Sequence, residues 1–389
     1  MYLTKDEEKA IKGESGETIA LAYRILLAIG EATDAEKLVP IEWAHVSGVN
    51  YNTIGDAGVR FLEEFSNDAR TSVKTTINPM GFDRRRIQDL HDERFILKQM
   101  AIVKSYERIG AIPSFTCIPY EIFDIPPKGT LISFSESNAA VFSNSLLGLL
   151  TNKESALSAL ASSVIGKTPY SDLRMDSFRH PKIAIKPDFD LSTELDYGLL
   201  GYFAGKVVSE SCVAFEGSNG SPSLIKSKAL CAGMGTSGSC GMFTMSKNSS
   251  CKEVISCGNE EISTIKDELN TSEDGDIIAF GSPQLGMNEL NLISQLVENK
   301  KFTKRCMIFC PRSINVQATM NGITKKIEKA GAEFICDCCI CLTPLITKEN
   351  ADSVITNSVK AAYYLNRSNK LTVALKDLEN IMVDYTKAR

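Results

Sequence analysis

Arg305 to Pro344 reads RCMIFCPRSINVQATMNGITKKIEKAGAEFICDCCICLTP. Arg305 to Phe309 is a short apolar run. Cys310, Pro311 and Arg312 break it, a helical pattern follows to Ala330, and Glu333 to Cys336 starts another short apolar run. The same order precedes it: Asp276 to Phe280 as a strand, Gly281, Ser282 and Pro283 as a turn, then a helix near Asn288 to Glu298. Strands alternating with helices of this length imply a parallel sheet. In such a sheet Ser282, Cys310 and Cys339 all stand just beyond strand C-termini, the edge where open α/β sheets place their sites. Lys360, in TNSVKAAYYL, brings a cation to the same edge, although an exposed helix lysine is the commoner case.

The quoted stretch closes on Cys336, Cys338, Cys339 and Cys341, two overlapping Cys-x-x-Cys spacings. Thiolates this dense suit a soft metal or an iron–sulfur cluster. A structural zinc site needs a second ligand pair at a defined distance, and none is obvious. Packing thiols and redox regulation fit the same residues.

A chain of 389 residues exceeds one ordinary core, so two or three domains are expected. Hydrophobic residues at 43% and charged residues at 23% match a globular protein. A net charge of −5 argues against a general nucleic-acid binder. The compact basic run Arg84, Arg85 and Arg86 reads as a solvated helix face. No apolar run approaches the roughly 20 residues that span a bilayer. The N-terminus, MYLTKDEEKAIKGES, lacks the apolar core of a signal peptide. These features place the chain in a reducing cytoplasm, away from membranes, with its cysteines mostly as thiols.

Upstream of the repeats, polar loops follow short apolar segments. Thr4 caps a first helix, Ser15 opens a second, and Gly30 is a stop. His45 to Gly48 continues through VNYNTIGDAGVRFLEEF into an amphipathic helix. Hydroxyls, an imidazole and amides beside a helix start suit an anion, and a tight turn needing Gly48 fits equally. Thr71 to Lys74 reads as a strand feeding TTINPMGFD, where Asn78-Pro79 starts a turn. A helix follows over Asp89 to Glu107. Cys117, between Pro113 and Pro119, lies outside any regular helix, as either a ligand or a packing thiol. Ile132 to Asn152 starts as a strand, and its many Ser and Asn residues favour caps and turns. Ala229 to Met242 spaces its glycines closely, as a helix contact or a ligand loop. Gly217 to Ser223 reads as a domain boundary. Residues 1–216 then form an N-terminal α/β part with the Ser47, Asn78, Cys117 and Ser137 loops, with room for two domains. Residues 224–389 form a βα-repeat part with the Ser282, Cys310 and Cys339 loops.

Seven stretches carry a resemblance: SGVNYNTIGDAG (Ser47 to Gly58), TINPMGFD (Thr76 to Asp83), TCIPY (Thr116 to Tyr120), SESNAAVFSNSLLGLLTN (Ser135 to Asn152), DYGLLGYFAGK (Asp196 to Lys206), CCICLTPL (Cys338 to Leu345) and TNSVKAAYYL (Thr356 to Leu365). Together they resemble the large subunit of aconitase X, a short branch of the aconitase superfamily, in the family's order over nearly the whole chain. The resemblance implies an α/β fold, with aconitase-like multi-domain α/β/α sheets of largely parallel strands.

It also implies a hydro-lyase with an iron–sulfur cluster, 4Fe-4S or alternatively 2Fe-2S, whose open iron helps expel a hydroxyl as water. Cys117 and Cys339 fall on two of three ligand positions. The third falls on Ser282 in FGSPQ, where the family is similar to Gly-Cys-Pro-His. Serine oxygen substitutes poorly for thiolate on iron. Either Ser282 ligates weakly, Cys310 takes its place, or the cluster is altered or absent; Cys336, Cys338 and Cys341 keep other arrangements open. The resemblance assigns substrate binding to Gly48, Val49, Asn50, Asn78, Pro79, Glu136, Ser137 and Lys360, with Asn50 where serine is commoner. It puts the catalytic base, a serine, on a separate small swivelling domain, so a small subunit is the expected partner and this chain's own catalytic residue is unassigned. The implied reaction converts (R)-5-phosphomevalonate to trans-anhydromevalonate 5-phosphate in isoprenoid synthesis. Dehydration of cis-3-hydroxy-L-proline is an alternative on the same scaffold, and a catalytically degenerate metal- or partner-binding subunit is a third reading.

Overall fold

In the computed structural model, which describes residues 1–217 and 222–389, the chain divides into two units. The first comprises residues 1–80, 91–181 and 241–243, and the second comprises residues 81–90, 182–240 and 244–389. The Gly217–Ser223 loop includes residues 218–221, which lie outside the described residues. The strand before it, Cys212–Glu216, and the helix after it, Leu224–Ser237, both belong to the second unit.

In the first unit, the Trp43–Val46 strand runs parallel between Lys74–Ile77 and Ile132–Phe134. The expected Thr71–Lys74 strand sits further along, because Thr75, Thr76 and Ile77 are the residues buried in that pairing. The Lys5–Ile11 helix starts with a Thr4 capping box. The next helix, Glu17–Ala32, continues through Gly30 rather than stopping there, since the bare glycine packs under Met1 and Ala35. Glu93–Ile109 is capped by Asp92 and closed by Gly110. Ser137–Phe142 is a short helix that widens into a single π turn over Ser143–Leu147.

The second unit holds a five-stranded parallel sheet in the order Ala332–Cys336, Arg305–Cys310, Ile277–Phe280, Ser353–Thr356, Thr372–Leu375. The three strands of the expected βα repeat are all present. Their fully buried apolar runs are what a sheet covered on both faces requires. Chain order reverses between Ile277–Phe280 and Ser353–Thr356, so their following loops flank a topological switch point. A further sheet places Ile183–Asp188 parallel to Cys212–Glu216 and Glu253–Gly258.

The glycine-spaced segment resolves into a helix contact. Leu224–Ser237 packs on Glu194–Val207 so closely that a Cβ on Gly201 would lie 2.2 Å from the Leu230 carbonyl oxygen. A Cβ on Gly233 would lie 2.2 Å from that of Gly198. Among the described residues no helix is long and apolar enough to cross a membrane.

Candidate active site

The first unit brings its polar loops to one edge. The loops that carry Ser47–Asn50, Asn78–Pro79 and Ser135–Ser137 all follow the C-terminal ends of its parallel strands. Gly48 has φ +78° and Ala156 sits against it, so the turn itself demands glycine. Asn50 caps the Tyr51–Asp68 helix, its side chain accepting from Asn52 N–H at 2.8 Å. Two fully or largely hidden residues hold this loop. Gln99 donates to the Val49 carbonyl at 2.7 Å, and Ser135 accepts from Ser47 N–H at 2.6 Å. Neither stood out in the sequence, because each is an ordinary polar residue until the loop folds over it.

Beside them His45 is fully buried, contacting Thr76 Oγ1 and Asn78 Oδ1, each at 2.7 Å. Asn78 in turn donates to Glu136 Oε2 at 2.6 Å. Burial pulls the His45 imidazole down to about 4, against the opposing pull of Glu136 and the Asn78 hydrogen bond. Cys117 is buried on its non-helical segment, whose carbonyl accepts from Asn138 at 2.9 Å.

In the second unit the switch-point loops meet the cysteine loop. The Ser282 hydroxyl oxygen lies 3.8 Å from Cys339 Sγ and 3.9 Å from Cys341 Sγ. Ser358, which caps the Val359–Arg367 helix, donates to the Ser282 carbonyl. Gln284 donates to the Cys338 carbonyl at 3.0 Å, and buried Lys228 donates to the Gln284 carbonyl at 3.2 Å. The hydrogen bond with Cys341 pulls the Cys339 thiol down to about 7, against burial, with Lys360 and Ser282 assisting. The hydrogen bond with Cys339 and burial push the Cys341 thiol well above the ordinary range. Lys360, in the first turn of its helix, is near enough to act on both sulfurs.

Cys310 ends the strand beside the one that leads into Ser282, but its thiol turns to another partner. It pairs in register with Cys336, and the Cys336 hydrogen bond and burial hold its thiol well above the ordinary range. The basic run is not a solvated helix face. Arg86 pairs with Asp89 and Glu333, and Arg84 stands 3.5 Å from Asp337, because carboxylates on and after the Ala332–Cys336 strand draw both in. Arg312 binds Asp337 at 2.6 Å and also Asp83, whose other oxygen accepts from Cys336 N–H at 2.9 Å. That network fixes the entry to the cysteine loop, where Asp337 takes φ +65°.

Family models for the first, second and third domains of aconitase X match residues 1–177, 181–270 and 275–387. The chain belongs to the aconitase X family. This aconitase X chain is 37% identical to the phosphomevalonate dehydratase large subunit of Methanocaldococcus jannaschii, covering 98% of this chain and 99% of that one. It is 29% identical to the cis-3-hydroxy-L-proline dehydratase of Pseudomonas aeruginosa, covering 92% of this chain and 65% of that one. The crystal structure of Thermococcus kodakaraensis aconitase X in its holo-form superposes with a TM-score of 0.90 at 32% identity, covering 99% of this chain and 100% of that one.

Aconitase-like proteins generally bind an iron–sulfur cluster. Among the described residues no group of three or more His, Cys, Asp and Glu side chains is placed to hold a metal ion. The cysteine loop beside Ser282 nonetheless supplies donors of the kind such a cluster uses. Two adjacent thiols, one shifted toward thiolate, with a neighbouring cation, are what iron–sulfur ligation draws on.

Proposed function

We propose that this chain is the large subunit of an iron–sulfur hydro-lyase that dehydrates (R)-5-phosphomevalonate to trans-anhydromevalonate 5-phosphate in isoprenoid synthesis. The observation that carries this reading is the 37% identity, over essentially the full length of both chains, to a phosphomevalonate dehydratase large subunit. When bound, the cluster supplies a Lewis-acidic iron that makes hydroxide a better leaving group. In the second unit Cys339 is a ligand, and the family resemblance adds Cys117 of the first unit. The cluster is 4Fe-4S in this reading.

In the first unit Gly48, Val49 and Asn50 present backbone amides at the start of the Tyr51–Asp68 helix, which favours an anionic group. Asn78, Pro79, Glu136 and Ser137 add polar contacts, with the Asn78 amide orienting the Glu136 carboxylate. In the second unit Lys360 contributes a cation for the substrate's phosphate or carboxylate. The catalytic base belongs to a small-subunit partner carrying the swivelling domain and its serine. The complex works in the cytoplasm in this reading.

Cis-3-hydroxy-L-proline dehydration is the second reading, kept by the 29% identity to an enzyme of that name. Co-expression with the small subunit, anaerobic purification, iron and sulfide analysis and assay on both substrates separate the two. Turnover of phosphomevalonate alone is the expected result. Turnover of hydroxyproline alone would replace the first reading by the second, and an iron-free, inert complex would leave only a degenerate binding subunit.

A further inference from the structure

Ser282 is the one hydroxyl among the proposed ligand positions, and the structure puts a thiol against it. Its Oγ lies 3.8 Å from Cys339 Sγ and 3.9 Å from Cys341 Sγ, while the two sulfurs are hydrogen-bonded to each other. Three donor atoms therefore converge from two loops. The Ser282 loop is held by Ser358, and the cysteine loop by Gln284 from the Ser282 loop itself. Leu342 N–H bonds the Cys339 carbonyl at 3.1 Å, closing a turn that sends the side chains of residues 339 and 341 to the same side. Cys341 is also partly exposed, unlike most of the other thiols here, so iron can reach it.

Cys310 lacks that exposure. It is fully buried at a strand end, its thiol is committed to Cys336, and the carboxylates of Asp83 and Asp337 lie close by. A serine hydroxyl is a hard, weakly acidic donor that stays protonated, whereas thiolate is the donor iron prefers.

We propose that Cys341 is a thiolate ligand of the iron–sulfur cluster, standing beside Cys339 in the role that Ser282 cannot fill. The proposal rests on the cluster reading above. Ligation takes the Cys341 proton into solvent as the sulfur–iron bond forms, with no change of oxidation state. Ser282 becomes a neighbour that hydrogen-bonds the sulfurs, the kind of contact that tunes a metal thiolate.

The test uses the full chain co-expressed with its small subunit and purified without oxygen. Iron and acid-labile sulfide are measured per chain, with electron paramagnetic resonance of the reduced cluster and circular dichroism for folding. Cys341→Ala should lose iron at least about tenfold, Cys310→Ala should keep it, and Ser282→Cys placed in the Cys341→Ala background should restore it. Loaded wild-type complex treated with iodoacetamide should leave Cys341 unlabelled, and removing iron with a chelator should make it label. That labelling experiment needs no variant and stands even where Cys341→Ala fails to fold. A Cys341→Ala chain with wild-type iron and an unchanged spectrum overturns the proposal, as does equal labelling of Cys341 with and without iron. Iron loss in Cys310→Ala with retained folding returns the role to Cys310. Wild-type complex without iron overturns the cluster reading itself, a different failure from a loaded Cys341→Ala chain.

Discussion

His45 Nε2 lies 2.7 Å from Asn78 Oδ1, and that contact sets the direction of every hydrogen bond around it. The Trp43 indole can only donate, and it donates to Thr76 Oγ1 at 2.9 Å. The Thr76 hydroxyl is then free to donate to His45 Nδ1, leaving the proton of a neutral imidazole on Nε2. His45 donates onward to Asn78 Oδ1, and the Asn78 amide group donates to Glu136. Four side chains thus hand direction to a carboxylate at a proposed substrate loop, and one tautomer satisfies all of them.

His45→Ala removes the middle of that chain and leaves Thr76 and Asn78 with unmet polar atoms inside the first unit. The expected cost is about 2–4 kcal/mol of stability, the range for breaking a buried polar network. Urea unfolding measures it. The loss of Asn78 orientation should also raise KM for the anionic substrate. A variant as stable as wild type, with unchanged KM, would show that the chain of bonds is ornamental.

The same residue gives a pH dependence. Its folded value is about 4 and its unfolded value about 6.5, so the unfolded chain binds the extra proton first. Stability is full above the unfolded value and falls as pH drops from about 6.5 toward 4, by up to about 1.4 kcal/mol per unit. Comparing urea midpoints of wild type and His45→Gln at pH 7, 6 and 5 isolates this contribution from the carboxylates. The two slopes should differ in that window, with wild type the steeper.

The second unit's sheet was legible because its strands are short apolar runs punctuated by Gly-Ser-Pro and Cys-Pro, a pattern set by local chemistry. The loops bearing Ser282 and Cys339 followed from the same reading. What stayed hidden depends on long-range geometry. Nothing near Gln99 or Ser135 announces the loops they hold, and Arg84 and Arg86 look solvated until Asp337 and Glu333 fold across from them. The sequence reading offered Cys310 as the substitute for Ser282 and left Cys341 among the extra thiols; the contact of Cys341 with Ser282 and the pairing of Cys310 with Cys336 are long-range and appear only in the fold.

Gly201→Ala tests the contact between the Glu194–Val207 and Leu224–Ser237 helices. The new methyl would enter within 2.2 Å of the Leu230 carbonyl, which is backbone and cannot swing aside. Separating the helices should cost about 3 kcal/mol. The thermal midpoint should fall, while Gly217→Ala, at a glycine with open space around it, should shift it less.

Arg312→Lys asks whether the fork geometry matters. One guanidinium reaches both Asp83 and Asp337, each nearly inaccessible to solvent, and a single ammonium cannot bridge both in the same way. A buried carboxylate left without its partner costs about 3 kcal/mol. Because Asp83 also holds Cys336 N–H, the cysteine loop should loosen too. A chelator should strip iron from the variant faster than from wild type. Equal release rates would confine Arg312 to a purely structural part.

Lys360→Gln separates two jobs that one cation can do. If its charge binds the substrate's anionic group, KM should rise by about ten- to a hundredfold, the worth of a charge-assisted contact, while iron content stays at the wild-type level. If its charge instead keeps the Cys339 sulfur as thiolate, toward which it already pulls, iron content should fall and KM for the remaining loaded fraction should hold. Lys360→Arg sharpens the choice, since it keeps the charge near the sulfur but presents a planar donor to the ligand. Wild-type iron with a raised KM in both variants assigns Lys360 to the substrate, and unchanged iron and KM in Lys360→Gln would remove it from the site altogether.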